Sequence, residues 1–152
     1  MKRAPYFLEI AKAIATKSKD PSSKVGAVIV DEDHRIVSTG YNGFPAGCDE
    51  TKLSWERPMK YLTVIHAELN ALIYARRDLT GCIVYVTHGP CESCLKHLLQ
   101  AKVREIYYEN ADIMRYRSSI DQKIAIKNLI LATGAIVQNV NGKNYIEDIY
   151  EL

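Results

Sequence analysis

The chain has 152 residues, 47% hydrophobic and 25% charged, an ordinary make-up for a globular protein. That length suits one domain over residues 1–152, with a core able to stand without disulfides. A net charge of +2 is too small to suggest an electrostatic grip on long nucleic acid but accommodates a small phosphorylated ligand held by one or two cations.

Residues 5–18 read as an amphipathic helix, with Pro5 in its first turn and Phe7, Ile10, Ala11 and Ile14 on one face. Glu9 and Lys12 break any signal-peptide core in the opening residues, and no apolar run approaches the roughly 20 residues of a membrane span. A cytoplasmic protein is expected. Val25–Val30 and Arg35–Tyr41 form a hairpin around the polar turn Asp31–His34, and Tyr41–Gly47 is a loop. Helix-forming residues fill 66–77, and Cys82–Thr87 is an apolar strand. Pro90 opens a helix that reaches about Ala101, and Arg104–Tyr108 is a strand. Ile120–Thr133 is a helix stopped by Gly134, and Ala135–Val140 a last strand. The turn signal Asn141-Gly142 then leads to a short extra strand or a helical turn. A hairpin followed by βα alternation predicts a three-layer α/β/α sandwich around a mixed sheet of about five strands.

Chemistry concentrates in His66-Ala67-Glu68 and Pro90-Cys91-Glu92-Ser93-Cys94. Cys91 and Cys94 are neighbours on the first turn of a helix, where free N–H groups and the positive dipole end favour thiolates. His66, starting another helix, supplies a third ligand. Two sulfurs and one nitrogen suit zinc, one per chain, and leave the fourth tetrahedral position for water. Residues two apart at a helix start fan around an object beyond the helix end. Glu68 therefore stands beside that water as a proton shuttle without ligating the metal. H-x-E followed by P-C-x-x-C is the signature of zinc deaminases. A structural zinc knuckle is the competing reading; it needs a fourth ligand, for which His88 and His97 are the nearby candidates. For Cys48, in a loop, and Cys82, in an apolar strand, a surface thiol and a core filler are expected.

Beyond these motifs, SSKVGAVIV, STGYNGFPAGC, IHAELNALIYARR and YVTHGPCESC resemble the deoxycytidylate (dCMP) deaminases, from about Ser22 to Glu109. The resemblance implies zinc ligation by His66, Cys91 and Cys94, with Glu68 as proton donor. It implies substrate contacts from Ser22, Asn42 and Arg77, the last near a subunit boundary and the substrate phosphate. A regulatory site for deoxynucleoside triphosphates, taken with Mg2+, falls on Lys24, Tyr41, Asn42, Gly43 and Phe44. It further implies a homo-oligomer, a hexamer by the family's habit, activated by dCTP and inhibited by dTTP. The expected reaction is hydrolytic deamination of dCMP to dUMP and ammonia, feeding thymidylate synthesis. By residue type alone, Asn42-Gly43 also fits a simple turn, and Arg76 and Arg77 fit surface charges at a helix C-terminus. Tyr107, Tyr108 and Tyr116 fit half-buried packing, while Arg115 and Arg117 fit phosphate ligands and surface residues equally. Two rival functions are a deaminase of tRNA or single-stranded DNA, which needs a basic, aromatic-lined approach, and a non-catalytic zinc-binding module.

Overall fold

The structure, a computed structural model, describes residues 3–150. Its five-stranded sheet has the order β2-β1-β3-β4-β5, built from β1 (Gly26–Val30), β2 (Ile36–Tyr41), β3 (Ile83–His88), β4 (Glu105–Asn110) and β5 (Ile136–Asn139). β1 is antiparallel to both of its neighbours, and β3, β4 and β5 run parallel. All five residues of β1 are buried, as a central strand covered on both faces requires.

α1 (Arg3–Ala15) covers one face, where Phe7, Leu8 and Ala11 pack on Val28, Val30 and Tyr85. The buried stripe runs through Leu8 and Ala15, while Ile10 and Ile14 sit half-buried at its margin, a rotation from the expected face. The helix also stops at Ala15 instead of residue 18, and Ser18 turns inward to donate to the carbonyl of Asn42. On the other face lie α3 (Ala67–Ala75), α4 (Glu92–Gln100), α6 (Ile120–Thr133) and α7 (Tyr145–Tyr150). Their residues Ala67, Ala71, Leu95, Leu98, Ile126, Ile130 and Ile149 share a core with Ala27, Ile29, Val84, Val86 and Ile106. The three layers expected from the sequence are present. Both parallel crossovers return their helices to this same face, as right-handed connections across neighbouring strands must.

α6 has the predicted bounds because its ends are written locally. Ser119 and Gln122 form a reciprocal capping box, and Gly134 takes a left-handed φ of 71° at the C-cap. The Asn141-Gly142 turn is followed by the helical alternative, α7. Two helices had no counterpart in the periodicity, α2 (Met59–Thr63) and α5 (Asp112–Arg117). The buried residue of α2 is Lys60, while Met59, Tyr61 and Leu62 face outward, the reverse of the pattern that betrays a helix.

Candidate active site

The site forms where two helix N-termini meet at the carboxyl end of β3, the edge where open α/β sheets place their ligands. Gly40 sets the height of the first helix. A Cβ there would meet the Ala67 carbonyl at 2.3 Å and the Ala71 nitrogen at 2.5 Å, so the backbone of α3 lies directly on β2. That contact holds the start of α3 over the sheet, with His66 as its extended N-cap residue and Glu68 in its first turn. Asn70 adds a hydrogen bond of 2.8 Å to the carbonyl of Tyr41. Cys91 is the N-cap of α4, and its sulfur accepts from the Cys94 backbone N–H at 3.5 Å.

The ligand atoms of His66, Cys91 and Cys94 all lie within 4.8 Å of one another. His66 Nδ1 is 3.1 Å from Cys94 Sγ and 3.6 Å from Cys91 Sγ. A tetrahedral zinc with ordinary bond lengths places nitrogen roughly 3.5 Å from sulfur, so the cluster closes around zinc with small adjustments. The close approach of the three groups couples their ionisation. The Cys94 thiol, then His66, draw the Cys91 pKa down to about 4 against the opposing effect of burial. The Cys91 thiolate, opposed by burial, raises His66 to about 8, and the same thiolate with burial pushes Cys94 well up. Loading zinc must therefore expel the protons of His66 and Cys94.

Glu68 is 4% exposed, and burial lifts its carboxyl to about 7 despite the opposing charge of His66. It stands beside the ligands without belonging to their cluster. Neither proposed fourth ligand joins. His88 pairs its Nδ1 with the Thr87 hydroxyl at 2.8 Å, and His97 bonds the Ser93 carbonyl at 2.6 Å. Three protein ligands with an adjacent buried carboxyl are the donor set of a catalytic zinc, not of a closed structural one.

His66, Glu68 and Cys91 line a cavity of about 630 Å3, together with Asn42, His88, Tyr61 and the cations Arg57, Lys60 and Arg117. Arg57 stacks over the ring of Tyr61, its guanidinium carbon 5.6 Å from the centroid. Lys60, 8% exposed, donates to the Ser22 hydroxyl at 2.8 Å and pairs with Asp20 at 2.7 Å. Burial works to raise the Asp20 carboxyl, but Lys60 with Ser22 and Ser23 outweighs it and brings it below the usual range.

The residues marked in the sequence fall in different places. Asn42 lines the cavity with its side chain committed to the scaffold, accepting from Val25 N–H and donating to Asp20 and to the Ser23 carbonyl. Ser22 reaches the cavity wall through Lys60. Arg77 lies past the far end of α3, 3.9 Å from Asp31, and is not part of the cavity lining in this chain. Lys24 and Tyr41 are exposed, and Phe44 packs on Trp55 with ring centroids 4.2 Å apart. Gly43 exchanges two backbone hydrogen bonds with Ile65, of 3.1 and 2.7 Å, one residue before His66. Arg115 is tied to Asp148 and Asp112, whereas Arg117 faces the cavity. Sequence reasoning missed Asp20, Arg57 and Lys60. None belongs to a motif, and a buried lysine flanked by exposed apolar residues signals its role only once its partners are known.

Residues 1–110 match the family model for the cytidine and deoxycytidylate deaminase zinc-binding region. A probable deoxycytidylate deaminase of Caenorhabditis elegans is 46% identical over 125 residues, covering 78% of this chain and 64% of that protein. Deoxycytidylate deaminase of Homo sapiens is 43% identical over 110 residues, covering 68% of this chain and 62% of that protein. The chain thus spans less than two-thirds of the length of these two relatives. The dCMP deaminase of cyanophage S-TIM5, solved in complex with dCMP and dUMP, superposes with a TM-score of 0.70 at 29% identity, covering 92% of this chain and 99% of that one. This chain belongs to the cytidine and deoxycytidylate deaminase family. Among the described residues no helix is long and apolar enough to cross a membrane.

Proposed function

We propose that this chain hydrolyses dCMP to dUMP and ammonia, with Glu68 as its proton carrier. The observation that carries this reading is the buried Glu68 carboxyl beside the His66–Cys91–Cys94 cluster, on the wall of a cavity whose cations suit a phosphate. A volume of about 630 Å3 is that of a site for a small ligand. The relatives named for this reaction, and the cyanophage enzyme holding dCMP and dUMP, support the substrate.

In the mechanism, His66, Cys91 and Cys94 hold the zinc, which supplies the Lewis acidity that lowers the pKa of a water toward about 7. Glu68 accepts the proton that the attacking water gives up and delivers it to N3 of the cytosine as C4 is attacked. It then takes the remaining proton from the added C4 hydroxyl and passes it to the amine, which leaves as ammonia while the C4 carbonyl forms. Its elevated pKa suits a group that must both take and give protons near neutrality. The N-termini of α3 and α4 point fixed N–H dipoles at the site, so charge that develops there meets donors already in place.

The phosphate is assigned to the cavity cations, among them the exposed Arg117 and Arg57, with Asn42 on the wall toward the sugar and Ser22 joined to that wall through Lys60. Arg77 reaches a phosphate only from a neighbouring copy, which fits the proposed homo-oligomer, a hexamer by family resemblance. Exposed Ile73 and Tyr74 on α3 and Ile120 and Leu131 on α6 supply apolar surface for such contacts. A panel of dCMP, deoxycytidine, CMP and dCTP, followed by absorbance, tests the reading. A phosphate–cation contact is worth about 1.5–3 kcal/mol, so dCMP is expected to exceed deoxycytidine by about ten- to a hundredfold in kcat/KM, and Arg117→Ala to shrink that gap. Equal turnover of deoxycytidine refutes the assignment.

Regulation belongs to the same proposal: dCTP with Mg2+ activates and dTTP inhibits, through Lys24, Tyr41, Asn42, Gly43 and Phe44, in a cytoplasmic enzyme that supplies thymidylate synthesis. Support comes from the Gly43–Ile65 pairing, which ties that loop to the residue before His66. A Cβ at Gly43 would meet open space, leaving backbone accessible to a ligand. Trp55, the single tryptophan, packs on Phe44 and reports on the loop. Both triphosphates are expected to change its fluorescence, and dCTP to convert sigmoidal dCMP saturation to hyperbolic. Coupling of about 1–3 kcal/mol is the usual range, and Phe44→Ala is expected to weaken it. Hyperbolic saturation unaffected by millimolar triphosphate defeats the regulatory reading and leaves the deaminase reading standing.

A further inference from the structure

The helix α7 touches the loop that carries Cys91. Tyr145, at the start of α7, is fully buried and donates its hydroxyl to the Pro90 carbonyl at 2.8 Å. Pro90 is itself buried and immediately precedes Cys91, the ligand that caps α4. The ring leaves room for nothing larger than glycine one residue earlier, since a Cβ on Gly89 would come within 2.4 Å of Tyr145 Cε1. The loop is thus held at two points by one side chain, through a carbonyl and through van der Waals contact.

Tyr145 is in turn held in place. Its ring packs on Tyr108, with centroids 4.7 Å apart, and the Tyr108 hydroxyl donates to Asp148 at 2.7 Å. Asp148, also on α7 and 4% exposed, is paired with Arg115 of α5, which bonds the Asp148 backbone carbonyl as well. A continuous chain of contacts therefore runs from the part-buried Arg115 through the buried Asp148, Tyr108 and Tyr145 to Pro90. The metal loop lies inside the region matched by the family model, residues 1–110, whereas Arg115, Tyr145 and Asp148 lie outside it.

We propose that α7 is a clamp on the metal loop, in which Tyr145 is a positioning residue that fixes the Pro90 carbonyl, and hence the aim of the Cys91 sulfur, so that this segment governs how long zinc stays bound. Groups that orient a metal ligand without touching the metal commonly change its affinity by about 10- to 100-fold when removed. Tyr145 acts through the backbone of the neighbouring residue, so the lower end of that range applies. The proposal rests on the zinc reading of the site, which the zinc content of the wild-type protein tests separately.

The test is Tyr145→Phe, which keeps the ring against Gly89 and deletes the hydroxyl. Zinc transfer from the purified protein to a chromogenic chelator is followed in wild type and variant, and thermal unfolding of both is measured after zinc is stripped. The expected result is zinc transfer about tenfold faster in the variant, with coincident melting of the zinc-free forms. Unchanged transfer overturns the proposal. So does faster transfer accompanied by an equal loss of zinc-free stability, because α7 is then only part of the core. If Tyr145→Phe does not fold, Asp148→Asn, which weakens the hold of Arg115 and Tyr108 on α7, is read by the same two measurements.

Discussion

Glu68→Gln is expected to purify with about one zinc per chain and to lose turnover by about 10³-fold or more. The substitution keeps side-chain volume and polarity in a pocket where Glu68 is 4% exposed, so packing around the cluster is preserved. What disappears is the group that takes a proton from water and returns protons to the ring and the amine. General acid–base groups typically contribute about 10²–10⁴-fold, and one serving several steps belongs at the top of that range. Metal analysis and steady-state turnover of the same preparation give the two readings. Activity within tenfold of wild type refutes the role, and absence of zinc shows that the carboxylate was needed to build the site.

Cys94→Ser is expected to empty the site and to lower thermal stability to that of metal-stripped wild type. Cys94 is fully buried and its sulfur is one of the three candidate donors. A serine hydroxyl does not ionise near neutral pH, so His66 and Cys91 remain as a two-donor site. A ligand present at about a thousand times its dissociation constant stabilises the folded chain by roughly 4 kcal/mol. For about 150 residues that is on the order of 8–16 °C in Tm, all of it forfeited with the metal. Zinc content and melting curves with and without chelator decide the matter. A variant that retains stoichiometric zinc removes Cys94 from the ligand set, and one whose melting still responds to chelator does the same. The same stripped wild-type curve serves as the reference for Tyr145→Phe.

The layer architecture and the metal cluster were legible because both are written in short range. The apolar run Val25–Val30, the strand Cys82–Thr87 and the Ser119–Gln122 capping box each declare an element through neighbouring residues. His66 and Cys91 are far apart in sequence, but each sits at the first turn of its own helix. A tetrahedral ion needs only that those two helix ends converge. Which side of α1 faces the sheet was less legible, since Leu8 and Ile10 are equally apolar and Gly26, under Ala11, decides the fit. A Cβ at Gly26 would meet the Ala11 carbonyl at 1.9 Å, so the register of the helix over the strand follows from close approach, not from hydrophobicity.

By itself, then, the sequence determined the order of the strands and of the longer helices, the mixed sheet, the three candidate metal ligands and the carboxyl beside them, because each follows from chemistry within a few residues of chain. Tertiary structure alone decided the rest of the site. It buried Lys60 against Asp20, which lies 40 positions earlier, and turned Arg117 toward the cavity while engaging Arg115 with Asp148. It also placed Arg77 past the far end of α3, away from the cavity, and set Tyr145 against Pro90. A charged or aromatic side chain carries no local mark of its partner. Its role is settled by which distant groups fill the space around it, and those groups are brought there by the packing of helices on a sheet.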